Sequence, residues 1–471
     1  MKKILIFLFL SAAFVGVAQE LTLKKGGVVN TVPVGTTGSE SFSLYLPTSF
    51  EGGKTWPIVY IFDLNGKGGQ AIHMYREVAE NQGVILAASN NLSDSLSTSE
   101  NIAITGRMLN TVIKILPIQK YRSYAFGFDN GARLASVLPI FVQEIKGVIS
   151  AGAAYPNLEL LDSKIPFHFI GIVGTEDYSY SEMMAGRKMF DKYKYSNNLL
   201  VFSGGHQWPS VDNLNTSLDI LRLSGMEKGV IERSSTFIND SYERNIQKVQ
   251  ALIASNKLTQ AENLMGELLD VYRNLREVDQ LKDQHRSLRK DKRYKTMKRN
   301  EKNAFLTESF IKEDYVYYLE EDIVTYNYNN LGWWNYQMGE LAKYQKSKIL
   351  AEQEMGKRLL NYLNLLIEVN IQTQEETKPI DQEALSLLWM LKTITDPDNY
   401  EYYLRIISNS AKIEDYGTSL FYLEELLKKG YTDKEALYAL ENTALLRITP
   451  EFNEIVAKYL KEARYDNIQE E

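Results

Sequence analysis

The 471-residue chain contains no cysteine. Disulfides, thiol nucleophiles, zinc–thiolate sites and iron–sulfur clusters are thereby excluded. A lipoprotein anchor is excluded too, because it needs a cysteine at the cleavage point. Histidine is scarce: His73, His168, His206 and His285 are the whole set, so any chemistry that needs an imidazole draws on these four. No proline falls between Pro209 and Pro379, which leaves that stretch free of the strongest helix breaker. Past the N-terminus, no segment reaches the ~18 uninterrupted apolar residues of a spanning helix, so no stable membrane span is expected. Positive charge does not dominate either. The formal net charge of −7 argues against nucleic acid as the main partner. What is present, 44% hydrophobic and 24% charged residues, is a globular composition. At roughly 100–200 residues per domain, the length predicts two or three domains.

The chain opens with Lys2 and Lys3, an apolar run from Ile4 to Val15, and Gly16-Val17-Ala18-Gln19. A basic start, a short apolar centre and small residues before a cut describe a secretory signal peptide. Residues 1–18 are therefore expected to be removed and the mature protein to be periplasmic or secreted.

Glycine and proline then divide the rest. Of 29 glycines, 23 lie at or before Gly229. In this first half, β-branched runs (Glu40–Leu46, Pro57–Asp63, Val84–Ala88, Arg122–Phe126, Gly147–Ser150, Phe167–Val173, Leu199–Phe202) alternate with amphipathic stretches such as Gln70–Asn81, Asn101–Ile115 and Ala132–Val142. Apolar strands separated by helices predict a doubly wound, mostly parallel α/β sheet over residues 19–230. The second half, 231–471, reads as an all-α solenoid-like region. Leu359, Leu360, Leu363, Leu366 and Ile367 fall on one helical face, and Tyr416-Gly417 and Lys429-Gly430-Tyr431 read as turns. The tyrosines Tyr315, Tyr317, Tyr318, Tyr326 and Tyr328 and the pair Trp333-Trp334 read as packing between helices.

In the first half, Tyr124-Ala125-Phe126-Gly127-Phe128-Asp129-Asn130-Gly131-Ala132 ends a strand and opens a helix. Glycines at 127 and 131 flank position 129 as in a nucleophile elbow, where a strained turn lifts one side chain above the sheet. Leu64-Asn65-Gly66-Lys67-Gly68-Gly69, Gly174-Thr175-Glu176-Asp177 and Gly204-Gly205-His206-Gln207-Trp208-Pro209 resemble the oxyanion, acid and histidine loops of secreted esterases, with Asn65 where those usually carry histidine. Over about Glu40 to Met226 the chain thus resembles the α/β-hydrolase superfamily, in particular secreted esterases such as feruloyl esterases and polyhydroxybutyrate depolymerases. The resemblance implies a catalytic set of Asp129, Asp177 and His206, with Glu176 the rival acid. It also implies an oxyanion hole near Gly66, Lys67 and Asn130, no cofactor or metal, and a small-molecule or glycan or polymer ester as substrate.

The chain departs from these esterases at the elbow, where they carry serine and this sequence carries Asp129. Aspartate serves as nucleophile in haloalkane dehalogenases and epoxide hydrolases of the same superfamily, through an ester that histidine-activated water hydrolyses. Those enzymes use a helical cap. Here only 47 residues separate Asp129 from Asp177 and 28 separate Asp177 from His206, which leaves little room for one. The competing reading is an inactive hydrolase-like domain in which Asp129 merely pairs with His206 or caps the helix that follows. Of the other histidines, His168 reads as buried in a strand, His73 as lying on the helix after the oxyanion loop, and His285 as solvated. No H-E-x-x-H, EF-hand loop or Walker A sequence occurs.

Arg286 to Lys302 holds nine basic residues, a solvated helix face or a surface for phosphate-rich or acidic-glycan partners. The segment from Leu420 to Phe452 resembles the last units of tetratricopeptide arrays, which implies a surface for a protein partner, although no clean 34-residue period runs through it.

Overall fold

The computed structural model describes residues 23–35, 39–157, 161 and 166–460. The signal-peptide expectation falls outside them.

Eight strands are formed: β1 (Val28–Pro33), β2 (Ser41–Tyr45), β3 (Trp56–Phe62), β4 (Ile85–Ser89), β5 (Ile118–Phe128), β6 (Ile145–Ala151), β7 (His168–Gly174) and β8 (Asn197–Phe202). They make one sheet in the order β1-β2-β4-β3-β5-β6-β7-β8. β1 and β2 run antiparallel to their neighbours, whereas β3 pairs parallel with both β4 and β5, Phe62 lying opposite Gly127. Strands β4 and β7 are buried along their whole length, which is why they read as unbroken apolar runs rather than alternating ones. Helices α1 (Gly68–Gln82), α2 (Thr98–Ile115), α3 (Asn130–Phe141), α4 (Tyr180–Lys192) and α5 (Val211–Glu227) intersperse the strands. Helix α2 starts at a capping box: the Ser97 hydroxyl accepts from Glu100 N, and Ser97 N donates to the Glu100 carboxylate at 2.9 Å. The expected doubly wound, mostly parallel α/β sheet is what forms. Strand β1 lies outside the expected strands; it carries few buried positions and no regular alternation.

The chain is organised in two compact units. One comprises the chain to Ile149 with Pro156–His168 and Ser210–Arg222; the other comprises Ser150–Tyr155, Phe169–Pro209 and the chain from Leu223 onward.

The second unit holds β7 and β8 together with the helical region. Its long helices are α6 (Ser235–Ala254), α7 (Leu258–Tyr272), α8 (Asp279–Lys290), α9 (Lys292–Thr325), α10 (Leu331–Gln345), α11 (Leu350–Glu376), α12 (Gln382–Thr395), α13 (Tyr400–Lys412) and α14 (Tyr416–Lys428). Three shorter ones end the described chain. Leu359, Leu363 and Ile367 of α11 are fully buried with Met355, Trp334 and Leu388, as their spacing predicts. Trp334 donates its indole N–H to Asp322 Oδ2 at 2.7 Å, which satisfies its one polar atom in the core. A second cluster gathers Ile407, Leu423, Leu426, Leu446, Phe452 and Val456. Gly430, after α14, has φ +94°, the backbone that its place after a helix calls for.

Three expectations are corrected. Tyr416-Gly417 is not a turn but the start of α14, capped by the Asp415 side chain; the left-handed residue lies two positions before Tyr416, at Glu414 with φ +61°. Of the five tyrosines named above, only Tyr315 is core; Tyr317 is exposed, Tyr318 is more than a third exposed although its ring packs on Trp333 at 4.6 Å, and Tyr326, the C-cap of α9, is exposed with its hydroxyl on Asp381. His285 is not simply solvated, because its Nε2 lies 3.0 Å from Glu262 Oε1.

Candidate active site

The elbow belongs to the first unit. β5 runs straight into Asp129, which has φ +52° and ψ −123°, and α3 begins at Asn130. A non-glycine residue in that region of backbone space is strained, and the strain persists only because the surroundings dictate it. Two glycines do so. A Cβ on Gly127 would sit 2.3 Å from the Gly131 carbonyl, and one on Gly131 would sit 2.1 Å from the Phe62 carbonyl oxygen. The turn is thus compressed between β3, β5 and α3, as a nucleophile elbow requires. Asp129 caps nothing with its side chain; its carbonyl accepts from Ala132 N (2.9 Å) and Arg133 N (3.1 Å).

The neighbourhood of the elbow is acidic. Burial chiefly pushes the Asp94 carboxyl above the usual carboxylate range, with Asp129 and Asp63 adding to the push and a hydrogen bond with the Asn130 side chain opposing it. In the oxyanion loop, Gly66 has φ +68° and its N–H turns back onto the Asp63 carbonyl at 3.3 Å. Lys67 is the N-cap residue of α1 and uses no side-chain cap. His73 lies on α1 with its side chain exposed.

The acid and histidine loops belong to the second unit and meet there. His206 Nδ1 lies 3.1 Å from Asp177 Oδ1 and 3.0 Å from Oδ2. Asp177 is 1% exposed, and its Oδ1 also accepts from Ser179 N (2.9 Å) and Ser179 Oγ (2.8 Å). A buried carboxylate so held puts the proton of a neutral imidazole on Nδ1 and leaves Nε2 as an acceptor. That acceptor is occupied: the Tyr178 hydroxyl sits 3.0 Å from Nε2, with the two rings 4.3 Å apart. Glycine shapes this corner as well, since a Cβ on Gly174 would stand 2.2 Å from the Gly204 carbonyl oxygen. Glu176, the rival acid, instead pairs with Lys357 at 2.8 Å.

The helical region grips the acid loop from two sides. Arg358 of α11 donates from Nη1 to the Thr175 carbonyl (2.7 Å), and Lys312 of α9 donates to the Tyr178 carbonyl (3.1 Å). Arg358 is 2% exposed and is neutralised by the buried Glu308, at 2.8 Å through Nε and 2.6 Å through Nη2. Lys312 completes the cluster 2.9 Å from Glu308 Oε1.

The structure therefore brings Asp177 and His206 together and sets Asp129 at a strained elbow in the other unit. Tyr178, Asp94, Arg358 and Lys312 were missed from sequence. Tyr178 had one available signal, its place next to the acid; the others had none. Among the described residues, no group of three or more His, Asp or Glu side chains is gathered so as to hold a metal ion. None of their helices is long and apolar enough to cross a membrane.

No protein-family model matches the sequence, and a comparison with curated proteins returns no match. Solved structures are similar over part of the chain. An S-formylglutathione hydrolase from Staphylococcus aureus aligns at 10% identity over 43% of this chain and 99% of its own, with a TM-score of 0.34. An esterase from the archaeon Pyrobaculum calidifontis aligns at 12% identity over 44% of this chain and 87% of its own (TM-score 0.35), and esterase B from Lactobacillus rhamnosis at 15% over 44% and 89% (TM-score 0.36).

Proposed function

We propose that the protein is an exported hydrolase acting on ester bonds, with His206 as general base and Asp177 as the carboxylate that orients it. The observation that carries this reading is the pairing of half-buried His206 with buried Asp177 through both carboxylate oxygens. Nδ1 is thereby committed to Asp177, and Nε2 is the atom left to do chemistry.

Asp129 at the elbow makes an acyl-enzyme costly, since its attack on an ester would yield a mixed anhydride. A water-assisted path avoids that. His206 Nε2 takes a proton from water as the oxygen attacks the carbonyl carbon, and the tetrahedral intermediate then expels the alcohol, which recovers the proton from the imidazolium. Asp177 stabilises the imidazolium between the two steps. Gly66, Lys67 and Asn130 are the proposed donors to an oxyanion.

A second reading has observations of its own. Tyr178 closes the working nitrogen of His206, and Asp63, Asp94 and Asp129 make the elbow a poor home for negative charge. Both suit a lapsed domain retained as a scaffold beside a helical region that binds a protein partner. p-Nitrophenyl acetate and butyrate separate the two. Turnover by wild type that falls at least 10²-fold in His206→Ala is expected of the hydrolase. An inert wild type with an active Asp129→Ser variant would establish the lapsed serine hydrolase instead.

A further inference from the structure

The outer face of α9 carries an apolar stripe. Leu306, Phe310, Tyr317 and Val324 are each between 59% and 78% exposed. At about 100° of rotation per residue the four fall within about 40° of arc, so they share one face of the helix. A single exposed apolar side chain is ordinary on a protein surface. A row of them along a 34-residue helix marks a surface that another protein covers.

Charged side chains run beside the stripe in a fixed order. Lys295 and Lys302 lie along its N-terminal part and Glu313 and Glu320 along its C-terminal part; all four are exposed and lie within about 20° of one another around the helix. Among the described residues none of the four has an ion-pair partner. The ion pairs of α9 use Arg293, Lys298, Glu301, Glu308 and Lys312 instead.

The arrangement is symmetric about the middle of the helix. Lys295 with Glu320, and Lys302 with Glu313, share a midpoint between Thr307 and Glu308, while Arg299 with Tyr317, and Leu306 with Phe310, are centred on Glu308. An antiparallel copy related by a two-fold axis at that midpoint brings together residues equally distant from it, and keeps each rim of the helix against the same rim of its partner. Lys295 then meets the partner's Glu320, Lys302 meets the partner's Glu313, and Leu306 packs on the partner's Phe310. Arg299 falls over the ring of the partner's Tyr317, where a guanidinium is attracted to the π face. A parallel copy in register would instead set lysine against lysine and glutamate against glutamate.

We propose that the outer face of α9 is the interface of an antiparallel, two-fold homodimer, with Leu306 and Phe310 at its centre and the Lys295–Glu320 and Lys302–Glu313 pairs along one rim. The acidic partner for this part of the basic run is the same helix of a second copy. Exposed ion pairs contribute little each, so they fix direction and register while the apolar stripe supplies the affinity.

Sedimentation equilibrium of the full chain at 1–100 μM tests this, and the wild type is expected to dimerise. Lys295→Glu/Lys302→Glu leaves only carboxylates facing one another along the rim and is expected to weaken dimerisation at least tenfold. Glu313→Lys/Glu320→Lys leaves only ammonium groups there and is expected to do the same. All four changes in one chain restore opposite charges at every rim contact and are expected to return the dissociation constant to within about threefold of wild type, a rescue that a folding defect would not give. Three results would overturn the proposal: a wild type monomeric at 100 μM, double variants that dimerise as tightly as wild type, or a fourfold variant that dimerises no better than the doubles.

Discussion

At the residue scale, the Tyr178 hydroxyl occupies His206 Nε2, the atom that the proposed hydrolase would need for its water. A typical hydrogen bond contributes about 1 kcal/mol net, so removing the competitor changes base availability by about fivefold. Tyr178→Phe is therefore expected to raise kcat/KM for p-nitrophenyl acetate by up to about that factor, with the initial rate as readout. A fall instead would make the phenol a working part of the site.

Glu354 offers a prediction that needs no substrate. Its carboxyl titrates at about 7 in the folded chain because burial disfavours the charged form. The unfolded chain releases the same proton near the ordinary glutamate value of about 4.3. Between these values the folded state holds a proton that the unfolded state has lost, so stability falls as pH rises through this window. Glu354→Gln is expected to leave stability unchanged at pH 4 and to raise it by up to about 3 kcal/mol at pH 8, as urea midpoints at the two pH values would show.

At the scale of elements, the Arg358–Glu308 pair joins α9 to α11 and to the carbonyl of Thr175. Breaking a buried pair from one side leaves the other charge uncompensated, which costs about 3–5 kcal/mol. Arg358→Met is expected to approach the low end, because Lys312 still faces Glu308, and to speed amide exchange over residues 175–180. The exposed pair Lys357–Glu176 is the control, and Lys357→Met should change stability by less than about 1 kcal/mol.

These two groups of contacts mark what sequence can carry. Gly127 and Gly131 are legible because a compressed strand–turn–helix accepts no other side chain, so the local sequence records the local strain. The acid and histidine loops are legible for a similar reason, each following an apolar strand with glycine at its start. Arg358 and Glu308 are not, because nothing near residue 358 records that its partner carbonyl lies 183 positions earlier. Nor does a tyrosine beside an aspartate announce which way its ring turns. The helical region shows the same division: the face of α11 is read from spacing, whereas helix lengths of 34, 15, 27 and 14 residues for α9 to α12 follow no repeat.

On the scale of the whole molecule, β7 and β8 depend on the helices of their own unit. Asn198 of β8 donates to Glu267 Oε2 at 2.6 Å, Arg187 of α4 donates to Oε1 of the same carboxylate at 3.0 Å, and Phe305 of α9 packs against the cluster around Val173, Met183 and Leu199. A chain ending at Val230 would leave Arg187 and Asn198 without this acceptor and would bare the apolar cluster. Such a chain is expected to melt without cooperativity and to lose near-ultraviolet circular dichroism, even though it retains every strand. A sharp melt would show the sheet to be self-sufficient.

The long reach of Arg358 and Lys312 also sets an order of events in time. Synthesis runs from the N-terminus, so the loop carrying Asp177 leaves the ribosome well before the lysine and arginine that grip it, which follow 134 and 183 positions later along the chain. Contacts of such separation form late, because a long loop must close before they gain anything. Until α9 and α11 settle, the backbone on either side of Asp177 lacks the two donors that hold it in the folded chain.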